Sequence, residues 1–174
     1  LRSRSFLADF MLAVAAALAD GTFPLIVRPV DSHAGQGLRK LDHPADVADY
    51  LQTMTQGEFY ISRFVDYRGE DVLFRTFRIV LIDGRLCGND RCLAATARRH
   101  AAAFRAIHER LGLAYFGIDC GETADGSLLI FEVDSNMVVH ALDPVDVFPY
   151  KQPQMRKVFA AFREMLLNAV KRGL

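Results

Sequence analysis

Apolar positions recur along this chain in two different periods, and the periods mark its elements. Phe6, Phe10, Met11, Val14 and Leu18 fall at helical spacing and predict a first helix with one buried stripe. Phe23–Pro29 is a short apolar run ended by proline and reads as a strand. Val47, Tyr50, Leu51 and Met54 predict a second helix, started by Asp42 or by His43-Pro44. Phe59–Val65 reads as a strand. Val72–Arg78 and Ile79–Ile82 read as two more, closed by an Asp83-Gly84 turn. Ala94–Leu111 predicts one helix with Ala103, Phe104, Ile107 and Leu111 on a single face. Phe116–Asp134 reads as two adjacent strands joined at Asp125-Gly126. A proline-bearing link then leads to a last helix, where Met155, Val158, Phe159, Phe162, Met165, Leu166 and Val170 form a broad apolar stripe.

This mixed order predicts an α+β fold with largely antiparallel sheets, in two lobes around one cleft. The smaller lobe takes residues 1–65 and the larger takes 66–174. The chain has 174 residues, 51% of them hydrophobic and 24% charged, which suits a globular domain with a real core. Net charge is zero, so no global field draws the protein to nucleic acid. The longest apolar run, Met11–Leu18, is too short to span a bilayer, and no membrane partner is expected. Three cysteines make an odd count, which fits a reducing cytoplasm better than a disulfide framework. Cys87 and Cys92 have no second pair at zinc-ligand spacing. Beginning at Leu1 within a helical pattern, the chain reads as a piece of a longer protein. Oligomeric state is left open, a homodimer included.

The most informative chemistry is a set of carboxylates. Asp119 lies near the end of one strand, and Glu132 and Asp134 lie at the end of the next. Residues two apart on a strand share a face, so Glu132 and Asp134 aim together and a hairpin brings Asp119 beside them. Three clustered carboxylates repel one another unless a cation holds them. Oxygen-only ligands suit Mg²⁺, which also takes phosphate oxygens and water. Strand-end acids often only solvate turns. Here, however, Glu132 follows Leu128–Phe131, a run expected to be nearly fully buried, and an acid entering such a run needs a partner. Asn136 is a further oxygen donor nearby. His140 reads as a surface or hydrogen-bonded histidine.

Upstream, Ser32–Leu38 is a loop with Gly35 and Gly37, after a strand carrying Arg28. Glycines let backbone N–H groups approach phosphate oxygens, and Ser32 and His33 add side-chain donors. A Gly-x-Gly loop alone is more often an ordinary turn. Arg28 reads either as a snorkelling edge residue or as a guanidinium fork on phosphate. Arg75 and Arg78 are three apart, so on a strand they face opposite sides. Arg78 leads into the apolar Ile79–Ile82 run and is taken as the inward one, Arg75 as a solvated charge.

The order of these pieces resembles the ATP-grasp superfamily: Arg28 on a strand, a glycine-rich loop, a hinge strand, Arg75-x-x-Arg78, then Gly117-Ile118-Asp119 and Phe131-Glu132-Val133-Asp134. It is most similar to the branch with glutathione synthetase, the RimK-type ligases and D-alanine–D-alanine ligase. The resemblance implies two α+β lobes gripping ATP between antiparallel sheets. Arg28 stands where the family places a basic residue, usually lysine, on the α- and β-phosphates. Ser32–Leu38, with Ser32, His33, Gly35 and Gly37, matches the loop that covers the phosphates. Arg63, Phe64 and Val65 match the strand whose backbone reads the adenine edge, with Asp66 or Asp71 at the ribose. Arg78 matches the catalytic arginine near the γ-phosphate, and Asp119, Glu132 and Asp134 match the Mg²⁺ ligands. Two departures are visible: Asp134 replaces the family's usual asparagine, with Asn136 as the alternative for that position if the strand end is irregular, and only Asn89–Thr96 follows Gly88 where relatives carry a longer segment. The family's N-terminal substrate domain is not recognisable.

The implied activity is an ATP- and Mg²⁺-dependent ligase joining a small-molecule or peptide carboxylate to an amine or thiol through an acyl-phosphate. A catalytically silent nucleotide-binding sensor or docking module is the alternative.

Overall fold

The structure, a computed structural model, describes residues 4–17, 23–32, 35–55, 57–87, 91–137, 142–149 and 151–173. Leu18, His33 and His140, and the side chains of Phe6 and Cys92, lie outside the described residues. The chain divides into two compact units, Leu1–Asp66 and Tyr67–Leu174.

In the first unit, helix α1 (Arg4–Ala17) precedes strand β1 (Leu25–Pro29). Strand β2 (Arg39–Leu41), helix α2 (Pro44–Thr53) and strand β3 (Phe59–Arg63) follow. The three strands pair antiparallel in the order β2-β1-β3. Alternation along β1 sends Leu25 and Val27 into the core, while Arg28 stays exposed on the opposite face. Leu25, Val27 and Leu41 pack with Val47, Tyr50 and Leu51 of α2 and with Phe10 and Val14 of α1. Phe59 closes this core edge-on to Phe10 and Tyr50, at ring-centroid distances of 5.9 and 5.6 Å. Helix α2 starts after His43. The backbone N–H groups of His43 and Asp42 donate to the Asp46 carboxylate at 2.9 and 2.8 Å, which holds that carboxyl below its ordinary pKa.

The second unit holds strands β4 (Phe77–Ile82) and β5 (Arg85–Cys87), then helices α3 (Arg91–Arg99) and α4 (Ala101–Leu111). Strands β6 (Tyr115–Glu122) and β7 (Leu128–Asp134) and helix α5 (Lys151–Lys171) complete it. The sheet order is β5-β4-β6-β7, antiparallel throughout. Asp83 and Gly84 both take positive φ in the two-residue turn between β4 and β5, as a tight hairpin requires. One face of the sheet is apolar: Ile79, Leu81, Phe116, Ile118 and Cys120 pack with Phe104 of α4. On the other face Val80 and Ile82 pack with Val158 of α5 and with Met137. The class is α+β with antiparallel sheets flanked by helices, as the residue pattern predicts.

Four local expectations change. The Phe59–Val65 strand ends at Arg63, because the Phe64 N–H leaves the ladder for the Pro24 carbonyl at 3.1 Å. The Val72–Arg78 strand does not form before Phe77. Gly69 N–H instead donates to Leu73 O and Val72 N–H to Gly69 O, closing a local loop that Arg75 pins to Asp71. The helix expected over Ala94–Leu111 is two helices that meet at His100, whose Nε2 lies 2.9 Å from Glu122 at the end of β6. Leu128–Phe131 is not buried: β7 is the edge strand, and Ile130 and Phe131 are exposed.

Candidate functional site

Register explains why the acids of the second unit meet. Arg78 on β4 is paired with Asp119 on β6, and Asp119 is paired with Glu132 on β7. Residues directly opposite in an antiparallel pair share a face, so the three form one row across the sheet. Asp134 stands two residues beyond Glu132 and opposite Gly117, on the same face. Val80 and Ile82 also belong to this face, and there α5 and Met137 cover it. The acidic row is the half that α5 leaves open.

A second boundary is aromatic. The β6–β7 register shifts between Asp119 and Cys120, so Phe131 is an extra residue on the edge strand. The Phe131 ring lies 5.1 Å from that of Tyr67, which lies 4.8 Å from Phe74. Tyr67 and Phe131 sit directly over Gly121, where a Cβ would come within 2.8 Å of the Tyr67 ring. Gly117 is equally confined by the Met137 side chain.

Within the row, Arg78 makes a two-pronged contact with Asp119: Nε to Oδ1 at 2.7 Å and the terminal nitrogen to Oδ2 at 2.5 Å. The carboxylate is 23% exposed and the guanidinium 55%. That hydrogen bonding raises the Arg78 pKa; partial desolvation opposes it, and the charges of Asp119, Glu132 and Asp134 add to it. The Asp134 carboxylate accepts the Asn136 backbone N–H at 2.7 Å, which fixes the strand end. Tyr115 neighbours Asp134, and burial first, then that negative charge, pushes its phenol pKa up.

The resemblance noted in the sequence would imply Mg²⁺, and carboxylate oxygens are the donors such an ion takes. The arrangement as it stands is not a finished metal site. Among the described residues no three acidic, histidine or cysteine side chains converge as ligands, and both Asp119 oxygens are taken by Arg78. Arg75, expected as a solvated charge, is exposed, and it also forks Asp71 within its own loop and holds that carboxyl down to about 2. The two described thiols have raised pKa values: burial raises Cys87, and it raises Cys120 to about 11.

In the first unit, Arg28 stands on the outer face of β1 with its guanidinium 4.9 Å from the centre of the Tyr60 ring. The Ser32 hydroxyl donates to the Pro29 carbonyl at 2.7 Å, so it closes the turn that begins the loop. Gly35 and Gly37 both take positive φ, and a Cβ on Gly37 would lie 2.8 Å from the Pro29 ring. The buried Tyr50 hydroxyl donates to the Gly37 carbonyl at 2.9 Å and ties the loop to α2. His33 lies outside the described residues. The Phe64 N–H is already committed to Pro24, while Val65 and Asp66 are exposed.

Sequence reasoning missed one residue here. Tyr50 reads as plain core from its helical spacing, although a buried tyrosine needs a hydroxyl partner and that need was a signal.

Solved structures of this architecture exist. D-alanine–D-alanine ligase from Bacillus anthracis complexed with ATP superposes with a TM-score of 0.55 at 16% identity, covering 86% of this chain and 53% of that one. A RimK domain ATP-grasp protein from Sphaerobacter thermophilus gives 0.52 at 18%, covering 86% and 56%. The fold is ATP-grasp. The ATP-grasp ligase PsnB, complexed with a phosphomimetic precursor variant, Mg and ADP, gives 0.53 at 17%, covering 91% and 55%. The chain thus spans about half the length of the ATP-grasp structures it matches. No protein-family model and no curated protein matches it. Among the described residues no helix is long and apolar enough to cross a membrane.

Proposed function

We propose that this chain is the nucleotide-binding part of an ATP- and Mg²⁺-dependent ligase that joins a carboxylate to an amine or thiol. The observation that carries this reading is the Arg78–Asp119–Glu132 row on the open half of the second sheet, in an ATP-grasp fold. Solved neighbours of the same fold that hold ATP, or Mg and ADP, support it.

In this reading the substrate carboxylate attacks the γ-phosphorus, ADP leaves, and an acyl-phosphate forms. The amine or thiol then attacks the carbonyl carbon, and inorganic phosphate leaves. The protein positions charge and supplies no covalent nucleophile. Arg78 exchanges Asp119 for the transferring phosphoryl group, to which a guanidinium offers the same fork. Asp119, Glu132 and Asp134 hold Mg²⁺, which when bound neutralises charge on the phosphate oxygens. Arg28 orients the phosphates from the first unit, and the Gly35–Gly37 turn, anchored by Tyr50, covers them. Phe64 and Val65 line the base, and Asp66 meets the ribose. Small-molecule or peptide carboxylates and amines are the substrates, the cytoplasm is the compartment, and a homodimer remains the assembly to look for.

The test is phosphate release from Mg·ATP across a panel of carboxylates paired with amines, alongside melting with and without Mg·ATP. Thermal stabilisation by Mg·ATP and carboxylate-dependent phosphate release are expected. A melting temperature unmoved by Mg·ATP removes the reading. Stabilisation without turnover on any pair leaves a nucleotide sensor in its place.

A further inference from the structure

Strand β6 brings a second polar group to the face that carries Asp119. Tyr115, Gly117 and Asp119 alternate along the strand and share one side of the sheet, where Asp134 stands opposite Gly117. The Tyr115 ring meets Phe162 of α5 edge-on, at a centroid distance of 5.0 Å, so the helix fixes where the ring lies. Its hydroxyl donates to the Met137 carbonyl at 3.3 Å. The Met137 side chain packs with Val80, Ile82 and Val158, and its sulfur rests where a Cβ on Gly117 would stand.

Met137 is only three residues past Asp134, and the chain between them is a turn. The Asn136 N–H donates to Asp134 Oδ1 at 2.7 Å, the bond of an Asx turn directly after β7. That bond commits one oxygen of the carboxylate. The direction of the other, Oδ2, then follows the turn, and the turn is set by what holds its far end. Met137 is that far end, and it is held twice: by its side chain wedged over Gly117, and by its carbonyl on Tyr115. Both holds come from β6, the strand that also carries Asp119.

We propose that Tyr115 is a positioning residue for the ligase reaction. By holding the Met137 carbonyl, its hydroxyl sets the turn through which Asp134 is aimed at the metal. This rests on the ATP- and Mg²⁺-dependent reading above. Tyr115 touches neither the ion nor the substrate. It acts through Met137, Asn136 and Asp134, and its ring, seated on Phe162, joins that turn to α5. The bland role for the same hydroxyl is to satisfy one half-buried carbonyl, and the two roles differ in what the metal feels.

The test is Tyr115→Phe in the full chain, which keeps the ring against Phe162 and removes only the hydroxyl. Wild type and variant are compared by titration with Mn²⁺ as a stand-in for Mg²⁺, by amide hydrogen exchange and by thermal melting. Mn²⁺ affinity is expected to fall about two- to tenfold, the range of one lost hydrogen bond. Exchange at the Asn136 amide should quicken by a similar factor, while the amides of β4 and β6 hold their protection. A hydroxyl that only satisfies its carbonyl would leave Mn²⁺ affinity alone, and any loss of protection would spread through the whole sheet. Wild-type protein that binds Mn²⁺, with the variant matching its affinity, overturns the positioning role alone. Weaker Mn²⁺ binding accompanied by a uniform loss of protection overturns it as well. No Mn²⁺ binding by the wild type, free or with ADP, overturns the metal reading beneath it.

Discussion

Arg78 and Asp119 face one another across β4 and β6, and the one guanidinium satisfies both oxygens of the carboxylate. The pair is half in solvent, so it contributes under about 1 kcal/mol to folding. What it does is hold a positive charge against three acids. Arg78→Gln is therefore expected to melt close to the wild type yet lose ATP turnover. With Asp119 released, the nucleotide-free variant should also bind Mn²⁺ more tightly than the wild type does. A Mn²⁺ titration giving the same or weaker affinity in the variant would show that Arg78 does not compete for the acids.

Glu132 is exposed and sits at the edge-strand end of the row. Glu132→Gln should leave the fold intact and abolish phosphate release, while lowering Mg·ATP affinity. Steady-state phosphate release decides this, and wild-type rates in the variant would take Glu132 out of the site.

The Tyr50 hydroxyl is the one side-chain tie between α2 and the Gly37 carbonyl seen among the described residues. Tyr50→Phe should cost about 1 kcal/mol in urea unfolding, the net worth of a buried hydrogen bond, with no change in the denaturant slope. A variant as stable as the wild type would mean the loop does not depend on this anchor.

Asp71 is held at a pKa of about 2 against an ordinary 3.8, chiefly by its hydrogen bonds from Arg75. A depressed carboxyl stabilises above its unfolded pKa and loses that contribution as pH falls through the folded one. The loop around Arg75 should therefore hold at pH 4 and loosen toward pH 2. A carbon-detected titration of Asp71 should give the low midpoint, and Arg75→Gln should return it to the ordinary range.

Gly37 combines a φ of +68° with the Pro29 ring 2.8 Å from where a Cβ would stand. Gly37→Ala should cost at least about 1–2 kcal/mol from the backbone alone. Thermal unfolding measures it, and Gly35→Ala, where nothing lies within 4 Å of the added carbon, separates backbone strain from crowding.

Much of this was legible because strand alternation is a strict rule. Glu132 and Asp134 must share a face whatever the register, and the Asp125-Gly126 turn sets Asp119 within one hairpin of them. Leu128–Phe131 misled for a physical reason. Four apolar residues in a row look the same in a central strand and in a bulged edge strand, and only the sheet order separates them. The break at His100 carries no glycine or proline to announce it; a long-range contact with Glu122 accompanies it. Arg78 was read as the inward arginine, but its grip on Asp119 was not legible, since side-chain pairing across strands needs the register.

Gly117 and Gly121 flank Asp119 on β6, each two residues away on the same face. With no side chain of their own, they let Met137 on one side and Tyr67 on the other descend to the main chain. Along β6, Asp119 thereby projects between a thioether at Gly117 and a phenol ring at Gly121, with Arg78 and Glu132 to either side across the sheet. A side chain at either glycine would push its neighbour off the main chain, so two residues with no chemistry of their own decide how closely Met137 and Tyr67 approach the strand that carries Asp119.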